Sequence, residues 1–443
     1  MAINRREFLK SNAIAALGAL GITGSFSAIG AQSTPKSKSR LVIVGTGMRG
    51  ITMWGTGVVK NYADYVEMVG LCDINPKRVD FARTQIGENI PTFTDFDEMI
   101  RCTRPDKVIV ATVDCFHAQY VIRAMELGCD VICEKPFGTD EQQCQAMYDA
   151  EKKLGRNIIV TFNARYMPSE SKVKELLLAG EIGDVYSIDY NEFLDLDHGA
   201  SYYRRWHGFK KFNGTLLVTK GGHHFDHINW WLGCDPVEVM AYGDLKKYGR
   251  NGPFRHTHCR TCPHKSQCKF YWDITKDDFL MKLYVNCESQ DGYLRDGCLY
   301  REDLDTYDTN AVIVKYANNV MVTYSLVATA PYEGQRIVIN GSKGRIEVRN
   351  YLSQPWDVPH RSEIRLTRNF KDSVLIYPDY PQGGHGGADD MLKDHLFIPQ
   401  TKDELGYRAG SRAGIMSSLV GIAAYKSIES GHQIQIKDLI NFG

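Results

Sequence analysis

The sequence has no excess of charge of either sign. Its 443 residues contain 53 Lys and Arg against 53 Asp and Glu, so the formal net charge is zero. A protein that binds nucleic acid through its phosphates needs a basic excess, and the balance therefore excludes that partner. Apolar residues make up 43% and charged residues 24% of the chain, which is typical of a globular protein and excludes a disordered or collagen-like one.

Long apolar runs are also missing. Beyond the N-terminal segment no stretch reaches the roughly 18 apolar residues that predict a membrane-spanning helix. The N-terminal segment itself is interrupted by Gly18, Gly21 and Gly24, which makes it a poor anchor. No cysteine lies near its end, so a lipid anchor is not expected. The sequence predicts no stable membrane insertion.

Residues 1–32 have the pattern of a signal peptide. A basic start that includes Arg5 and Arg6 precedes residues 11–35, which carry no charge and are rich in small residues. The Arg-Arg-x-Phe-Leu-Lys pattern resembles a twin-arginine signal, the route that exports folded proteins. We therefore expect an exported, periplasmic protein in which residues 33–40 form a linker.

A dinucleotide-binding fingerprint follows this linker. The run 41–44, rich in β-forming residues, leads directly into Gly-x-Gly-x-x-Gly. The glycines of this motif allow a tight turn, a close approach of the backbone to a pyrophosphate and close packing of the helix on the strand. A second expected strand, 66–71, leads to Asp73, which is placed to accept hydrogen bonds from ribose hydroxyls. This carboxylate favours NAD as the cofactor, while the nearby Arg78 leaves binding of NADP possible as an alternative. The alternative role for Asp73 is a helix cap. The fingerprint residues are Gly45, Thr46, Gly47, Met48, Arg49 and Gly50.

Alternating strands and helices predict a parallel, doubly wound sheet over residues 41–162. Ligands bind such sheets at the carboxyl ends of the strands. Lys135 follows one strand, beside the expected nicotinamide, where partial burial can lower its pKa and let it act as acid or base; the alternative is a solvated surface lysine. Further cofactor-binding candidates at this rim are Thr112, His117 and Glu134. The remaining expected strands are 108–111, 131–133 and 158–162, and the expected helices are 117–127 and 139–154.

With these residues the chain resembles the Gfo/Idh/MocA family of oxidoreductases. The resemblance covers nearly all of residues 40–432. It implies an enzyme that acts on sugars, inositols or related polyols with a nicotinamide cofactor. It also implies a second α+β domain, here residues 163–443, whose open and largely antiparallel sheet covers the nicotinamide. Besides the fingerprint, the motifs that carry the resemblance are 134–137 (Glu-Lys-Pro-Phe), 162–166, 181–183 and 412–431.

The resemblance also assigns roles to single residues. It implies that Lys135 contacts the substrate hydroxyl and that Asn163 lies near the cofactor. The family commonly has an Asp four residues before a catalytic His, which aligns with His223 here. Thr219 stands at the Asp position, with Lys220 beside it. We therefore expect Lys220 or His224 to take over part of the role of the missing Asp. We also expect the protein to form a homo-oligomer. In the packed helix expected over 225–231, the residues assigned to packing are His227, Trp230 and Trp231.

Residues 197–207 supply the side chains of a carbohydrate site. Sugars have apolar C–H faces and polar rims, so their sites combine flat apolar side chains with fixed hydrogen-bonding groups. A loop at 381–389 surrounds His385 with four glycines, which indicates either a backbone close to the ligand or a flexible surface loop. The candidate substrate-binding residues are Tyr203, Arg205, Trp206, His207, His224 and His385.

The twelve cysteines fall into two groups. Six between residues 72 and 144 lie on expected core elements and are predicted to be small buried residues. The second group lies in a predicted insertion, residues 243–303, where histidines flank a Cys-x2-Cys motif. With Cys287 or Cys298 it predicts a structural zinc site or a disulfide-tied loop, and in either case no catalytic role. Its members are Cys259, Cys262 and Cys268.

The leading function is oxidation of a carbohydrate or glycoside hydroxyl, with hydride transfer to tightly bound NAD. An exported enzyme has no NAD pool, so the cofactor must stay bound and be restored in each cycle. The alternative is a redox-neutral, NAD-dependent glycoside hydrolase that oxidises, eliminates, adds water and reduces. A non-catalytic NAD-binding sugar sensor is the alternative of another class, and Lys135 with His223 argues against it because a sensor needs no acid or base.

Overall fold

The computed structural model describes residues 38–443. The predicted signal peptide and nearly all of the predicted linker lie outside the described residues. In the described part no helix combines the length and the apolar character needed to cross a membrane.

The first domain contains a six-stranded parallel sheet. Its strands are β1 (Ser39–Val44), β2 (Val66–Cys72), β3 (Thr92–Phe93), β4 (Lys107–Val110), β5 (Asp130–Cys133) and β6 (Ile158–Val160). Its helices are α1 (Gly57–Asn61), which continues a π-helical turn at Gly50–Thr56, α2 (Pro76–Ile86), α3 (Phe96–Thr103), α4 (His117–Glu126) and α5 (Glu141–Leu154).

The strand order β3-β2-β1-β4-β5-β6 confirms the predicted doubly wound sheet. The order reverses between β1 and β4, and ligands of such sheets bind at this switch point. The central strands are fully buried because helices cover both faces: Leu41, Val42 and Ile43 on β1 have no exposed surface. The fingerprint after β1 and Thr112 after β4 therefore meet at one rim.

Two local details differ from the sequence expectations. Asn75, not Asp73, caps α2, because its side chain accepts a hydrogen bond from the Arg78 amide. The alternative role of Asp73 as a cap is therefore wrong. Among the six cysteines before residue 145, Cys102 is exposed and Cys115 half-buried, so the expectation of burial holds for the other four.

The second domain is built on a nine-stranded, mostly antiparallel sheet, with the order β14-β13-β12-β11-β7-β10-β9-β8-β15. The pair β7 and β10 is parallel. The strands are β7 (Val185–Asp195), β8 (Pro236–Asp244), β9 (Thr309–Tyr316), β10 (Met321–Ala330), β11 (Glu333–Gly341), β12 (Gly344–Ser353), β13 (Ser362–Arg368), β14 (Ser373–Ile376) and β15 (Ile434–Gln435).

One helix of this domain packs between its sheet and the first domain. The long α14 packs on β8 and also contacts β6 and α5. The helices are α6 (Pro168–Leu178), α7 (Leu196–Arg204), α8 (Lys210–Asn213), α9 (Leu216–Thr219), α10 (Gly221–Leu232), α11 (Asp278–Leu283), α12 (Glu288–Asp291), α13 (Ala388–Phe397) and α14 (Ser411–Ser430).

Residues 245–308 form an insertion between β8 and β9, which are antiparallel neighbours. The sequence predicts this insertion at 243–303. It contains α11, α12 and the Cys-x2-Cys motif. Part of it reaches back to the first domain, as the contacts of Tyr284 described below show.

Candidate active site

The fingerprint loop has the backbone that a dinucleotide needs. Gly45 has a φ of +90°, and a Cβ there would lie 2.6 Å from the Ala111 carbonyl carbon. A Cβ on Gly50 would lie 2.1 Å from the Gly45 oxygen, so this glycine permits the close helix–strand packing. Gly47 meets only the Tyr284 hydroxyl, 3.5 Å from an added Cβ. The cradle therefore fits a pyrophosphate approaching the backbone.

Asp73 lies at the end of β2 and is 6% exposed. One of its oxygens accepts hydrogen bonds from the Thr46 amide (2.9 Å) and hydroxyl (3.1 Å). The other accepts from the Asn75 amide at 3.0 Å and from Arg78 at 3.1 Å. Arg78 also pairs with Asp291 at 2.6 Å. Two carboxylates thus neutralise the one arginine beside the expected ribose position.

The insertion covers the fingerprint. The Met48 amide donates to the Tyr284 hydroxyl at 3.0 Å, and the Asn75 side chain donates to the Cys287 carbonyl at 2.9 Å. A pyrophosphate would have to share the Met48 amide with Tyr284 or take it over. Sequence reasoning placed no insertion residue at the cofactor, and the chain contains no motif around Tyr284 that would have indicated this.

Glu134 holds the fingerprint from the neighbouring strand. Its buried carboxylate accepts from Arg49 at 2.7 Å and from the Trp54 indole at 2.8 Å. Burial raises the pKa of Glu134, but the Arg49 charge and hydrogen bonds outweigh burial and the net shift is downward. Arg49 also lies 3.9 Å from Asp389. Glu134 therefore stays ionised, and its carboxylate holds the Arg49 side chain in place.

The glycine-rich loop is attached to this rim. The Asn163 amide donates to Asp389 at 2.6 Å and lies 3.2 Å from Nδ1 of His385. His385 is itself 3.0 Å from Asp389. Burial opposes the shift, but His385 and Arg49 lower the pKa of Asp389 to about 2. The loop is thus attached to Asn163 through its side chains, while residues 381–385 are exposed, and both interpretations of this loop stay predictions.

His117 lies behind the rim. It is 1% exposed, with Nδ1 2.9 Å from the Pro136 carbonyl and Nε2 3.3 Å from the Thr112 carbonyl. It therefore connects the loops that follow β4 and β5. Thr112 lies half-buried at the rim, where His117 positions it.

Lys135 is half-buried, and its Nζ donates to the Thr219 carbonyl at 3.1 Å. Burial is the largest cause of a lowered pKa for Lys135, and Arg49 and Lys220 lower it further, whereas Asp114 and Glu134 raise it. The solvated surface lysine is therefore not what the structure shows. An ammonium that loses its proton more easily than usual suits a general base.

His223 lies near Lys135 on α10. Its Nδ1 is buried and has no hydrogen-bond partner among the described residues. Burial, followed by the charges of Lys135 and Lys220, holds the pKa of His223 well below its usual range. The ring is therefore neutral at ordinary pH.

Lys220 and His224 take different positions. Nζ of Lys220 lies 3.0 Å from Glu192, a fully buried residue of β7. Burial alone would lower the pKa of Lys220, but Glu192 raises it above the usual value. His224 is buried between the Tyr324 hydroxyl (2.9 Å) and Glu192 (3.4 Å). Lys220 therefore keeps its positive charge at the site. His224 belongs to the core behind it.

Asp114, in the turn after β4, was missed by the sequence reasoning. It is 5% exposed, and burial raises its pKa to about 6 although His117 and Lys135 act in the opposite direction. The Thr219 side chain also lowers this pKa through a hydrogen bond. A carboxyl group of the first domain thus raises the pKa of Lys135, whereas the family's usual Asp would come from the position of Thr219.

The substrate-binding candidates divide into two sets. Tyr203 is fully buried, stacks on Tyr248 and donates to a backbone carbonyl at 2.8 Å, so it belongs to the core. Trp206 stacks on His207 with ring centres 3.5 Å apart. Arg205 lies over the ring of Tyr202, 5.1 Å from its centre. Tyr202, not Tyr203, faces the site. The sequence of the short helix α7 contained no pattern that would have distinguished these two neighbouring tyrosines.

The cysteines of the insertion surround a small apolar cavity. Cys259, Cys262, Cys268 and Cys298 line a space of about 20 Å³ together with aromatic rings. All twelve thiols are free, and residues 38–443 hold no group of three or more His, Cys, Asp or Glu placed to bind a metal ion. The sulfur of Cys259 instead accepts a hydrogen bond from Arg204 at 2.9 Å. The structure does not support the predicted zinc site, and no disulfide bond cross-links this part of the insertion.

Two family profiles match this chain. The profile described as "Oxidoreductase family, NAD-binding Rossmann fold" matches residues 39–162. The profile described as "Oxidoreductase family, C-terminal alpha/beta domain" matches residues 174–436. The chain belongs to the Gfo/Idh/MocA oxidoreductase family. The resemblance stated from the sequence motifs is therefore confirmed.

Relatives of known name support the same class. The Bacillus subtilis (strain 168) protein YteT, which is named as an oxidoreductase without a stated substrate, is 36% identical over 428 residues, covering 90% of this chain and 98% of YteT. The D-glucoside 3-dehydrogenase of Escherichia coli (strain K12) is 29% identical over 184 residues, covering 42% of this chain and 52% of that enzyme. The second match thus extends over about half of that enzyme.

Solved structures share the fold across both domains. The WlbA dehydrogenase of Bordetella pertussis, in complex with NADH and UDP-GlcNAcA, superposes with a TM-score of 0.63 at 19% identity, covering 90% of this chain and 99% of WlbA. The aldose-aldose oxidoreductase of Caulobacter crescentus gives a TM-score of 0.61 at 16% identity, covering 90% and 100% of the two chains. At these identities the likeness shows the fold alone.

Proposed function

We propose that this protein is an NAD-dependent oxidoreductase that oxidises a hydroxyl group of a carbohydrate or glycoside. The observation that carries the proposal is the pair of Lys135 and His223, both with lowered pKa values, at the rim that the fingerprint shares. The relative named D-glucoside 3-dehydrogenase supports a carbohydrate as the substrate class.

Bound NAD would supply the hydride acceptor. Lys135 then acts as the base that takes the hydroxyl proton, because a carbinol carbon gives up hydride readily only as its oxygen loses that proton. His223, whose ring is neutral, orients the same hydroxyl. Lys220 contributes a fixed positive charge that stabilises the developing oxyanion, while Glu192 holds its ammonium in place.

The contacts of Arg78 support NAD rather than NADP. A 2′-phosphate needs a free cation, and Arg78 is already paired with Asp73 and Asp291. Asp73 itself repels a phosphate. The proposed preference for NAD thus has an electrostatic basis.

The insertion supports a cofactor that remains bound between turnovers. Tyr284 and Cys287 contact the fingerprint and the α2 cap, so a dinucleotide would lie beneath them. A retained cofactor must be restored in each cycle, either by a second sugar or by returning the hydride after glycoside cleavage. Residues 1–32 support export by the twin-arginine route, and retention suits a compartment without an NAD pool.

The proposed function is tested by mixing the purified protein with a panel of sugars and glycosides. Absorbance of reduced nicotinamide and chromatography of the products are followed together. A ketosugar is expected, with reduction of the bound cofactor in a single turnover. Free aglycone without net reduction would identify the redox-neutral hydrolase instead. Binding of sugar with neither product would identify a sensor and contradict the proposal.

A further inference from the structure

A histidine–carboxylate pair at the start of α7 is not used by the proposed mechanism. Nδ1 of His198 lies 3.0 and 2.9 Å from the two carboxylate oxygens of Glu333. Glu333 is 8% exposed, whereas the His198 side chain is 40% exposed. The buried carboxylate therefore engages one ring nitrogen, and Nε2 is the nitrogen that remains for a ligand.

The His198 ring lies on one face of α7. The N-cap residue Asp195 accepts hydrogen bonds from two backbone amides of the first turn, which fixes that turn. Tyr202 follows one turn later, and its ring stacks on the His198 ring with centres 5.2 Å apart and 23° between the planes. Ala200 and Tyr203 are buried on the other side of the helix. Because residues four apart share a helix face, His198 and Tyr202 point together away from this core.

An aromatic row continues from Tyr202 to the substrate-binding candidates. The rings of Tyr202 and His207 are nearly perpendicular, with centres 5.2 Å apart. His207 in turn stacks on Trp206 with centres 3.5 Å apart. A sugar site needs flat apolar faces beside fixed hydrogen-bonding groups. The row supplies the faces, and His198 at its end supplies a hydrogen-bonding edge.

The position of Glu333 connects this row to the active-site lysines. Gln335 on β11 pairs with Glu192 on β7. Glu333 lies two residues before Gln335, so both side chains leave the sheet on the same face. Diagonal neighbours on paired strands are about 7–8 Å apart, and Glu192 lies 3.0 Å from Lys220. The carboxylates that hold His198 and Lys220 are therefore neighbours on one face of the sheet.

The same cluster extends to the proposed base. The Thr219 carbonyl accepts the hydrogen bond of Lys135 at 3.1 Å, and Lys220 is the next residue in the chain. Burial lowers the pKa of Lys220, but Glu192 outweighs burial, and Glu333 contributes to raising this pKa. The pair at the start of α7 thus belongs to the same group of side chains as the proposed base.

We propose that His198, oriented by Glu333, binds a hydroxyl group of the carbohydrate other than the one that is oxidised. This inference rests on the proposed function and assigns a further residue to its substrate site. The carboxylate fixes the ring through Nδ1, and Nε2 forms the hydrogen bond with the sugar. A hydroxyl both donates and accepts, so the neutral and the protonated ring can each bind it. A C–H group at that ring position cannot, and His198 therefore selects against the corresponding deoxy sugar.

The other role for the pair is to fasten α7 to β11, and two substitutions separate the roles. In His198→Asn the amide nitrogen takes the place of Nδ1 and keeps the bond to Glu333, but nothing replaces Nε2. In His198→Gln the amide nitrogen takes the place of Nε2, while the bond to Glu333 is lost. A fastening role predicts a defect in the Gln variant alone, whereas sugar binding predicts a defect in the Asn variant.

The test uses the methyl hexoside that the wild type oxidises best, together with its monodeoxy derivatives. Single-turnover reduction of the bound nicotinamide is measured against sugar concentration. In the wild type, loss of the bound hydroxyl should cost about 10- to 100-fold in kcat/KM, the worth of one hydrogen bond to a charged pair. His198→Asn should lose the same factor with the parent sugar, mainly through KM, and should use one deoxy derivative as well as the parent. His432→Ala, in the exposed turn after α14, is the control and should match the wild type.

The contrary outcomes are distinguishable. Full wild-type discrimination against every deoxy derivative in His198→Asn would show that His198 does not contact the sugar. His198→Phe keeps a ring on Tyr202 but lacks the same nitrogen, and it should lose discrimination at the same ring position, so the result does not depend on the folding of one variant. Reduction of the nicotinamide by no member of the sugar panel would contradict the proposed function, and this inference with it.

Discussion

The Lys220 ammonium lies 3.0 Å from the carboxylate of Glu192, a residue of β7 with no exposed surface. This ion pair involves the residue next to Thr219, the position at which the family commonly has an Asp. It brings a cation, rather than a carboxylate, to the site and fixes it there. Lys135 is consequently the lysine that can lose its proton, and Lys220 the one that cannot.

Replacing Lys220 by Met should reduce stability, in addition to removing the charge proposed to stabilise the oxyanion. It leaves the Glu192 carboxylate buried beside His224 without its lysine, and breaking a buried pair on one side costs about 3–5 kcal/mol. The free energy of unfolding in urea measures this loss. The double variant Lys220→Met/Glu192→Gln should recover much of it, because it removes both charges. A single variant as stable as the wild type would contradict the pair.

Replacing Lys135 by Ala should remove catalysis and leave the cofactor bound. The dinucleotide is held by the fingerprint backbone, whereas one general base is worth roughly 10²–10⁴ in rate. Single-turnover reduction of bound NAD after sugar addition measures the rate, and released dinucleotide is quantified by mass spectrometry. Lys153→Ala, exposed on α5, is the control. A wild-type rate in the Lys135 variant would place the proton acceptor elsewhere.

Replacing Asp114 by Asn should shift the pH dependence of kcat/KM to lower pH. Asp114 raises the pKa of Lys135, so its removal makes the ammonium easier to deprotonate, and the limb that rises with Lys135 deprotonation moves toward acid. Burial raises the pKa of Asp114 to about 6; below that pH the wild-type carboxyl is neutral and the two profiles should converge. Superimposed profiles above pH 6 would mean that Asp114 does not act on Lys135. Asp149→Asn, on the exposed side of α5, serves as the control.

Replacing Cys259 by Ala should lower stability without slowing turnover. The thiol is 7% exposed and accepts a hydrogen bond from Arg204, and a buried donor left unsatisfied costs about 1–3 kcal/mol. Thermal melting and the sugar-oxidation rate are measured on the same preparation. Cys102→Ala, at an exposed cysteine, should change neither. Unaltered melting with lost activity would make the cysteine group part of the chemistry.

Replacing Asp73 by Ser should weaken the preference for NAD over NADP. The change removes a negative charge from the ribose position and leaves Arg78 with Asp291 as its remaining carboxylate partner. Like-charge repulsion between Asp73 and a 2′-phosphate is worth more than 1 kcal/mol, so the ratio of the two dissociation constants should shift by about tenfold or more. Calorimetry on protein freed of cofactor measures both constants, with Asp80→Ser as the exposed control.

Local sequence patterns predicted the first domain and its cofactor loop well. The fingerprint, the parallel doubly wound sheet and the position of Lys135 follow from short motifs whose geometry is fixed by backbone sterics. The choice between Tyr202 and Tyr203 could not be made from such motifs, because it depends on the rotation of α7 about its axis relative to β10. Asp114 was missed for a similar reason: it gains its role from charges that only the tertiary fold brings near.

The insertion at 245–308 leaves the second sheet from β8 and returns to the neighbouring β9. A loop that starts and ends at adjacent strands can change in length without altering the register of the sheet. Its far end, through Tyr284 and Asp291, rests on the dinucleotide groove. We expect this loop to set the residence time of NAD, and thereby to decide whether NAD serves as a prosthetic group or as an exchangeable co-substrate.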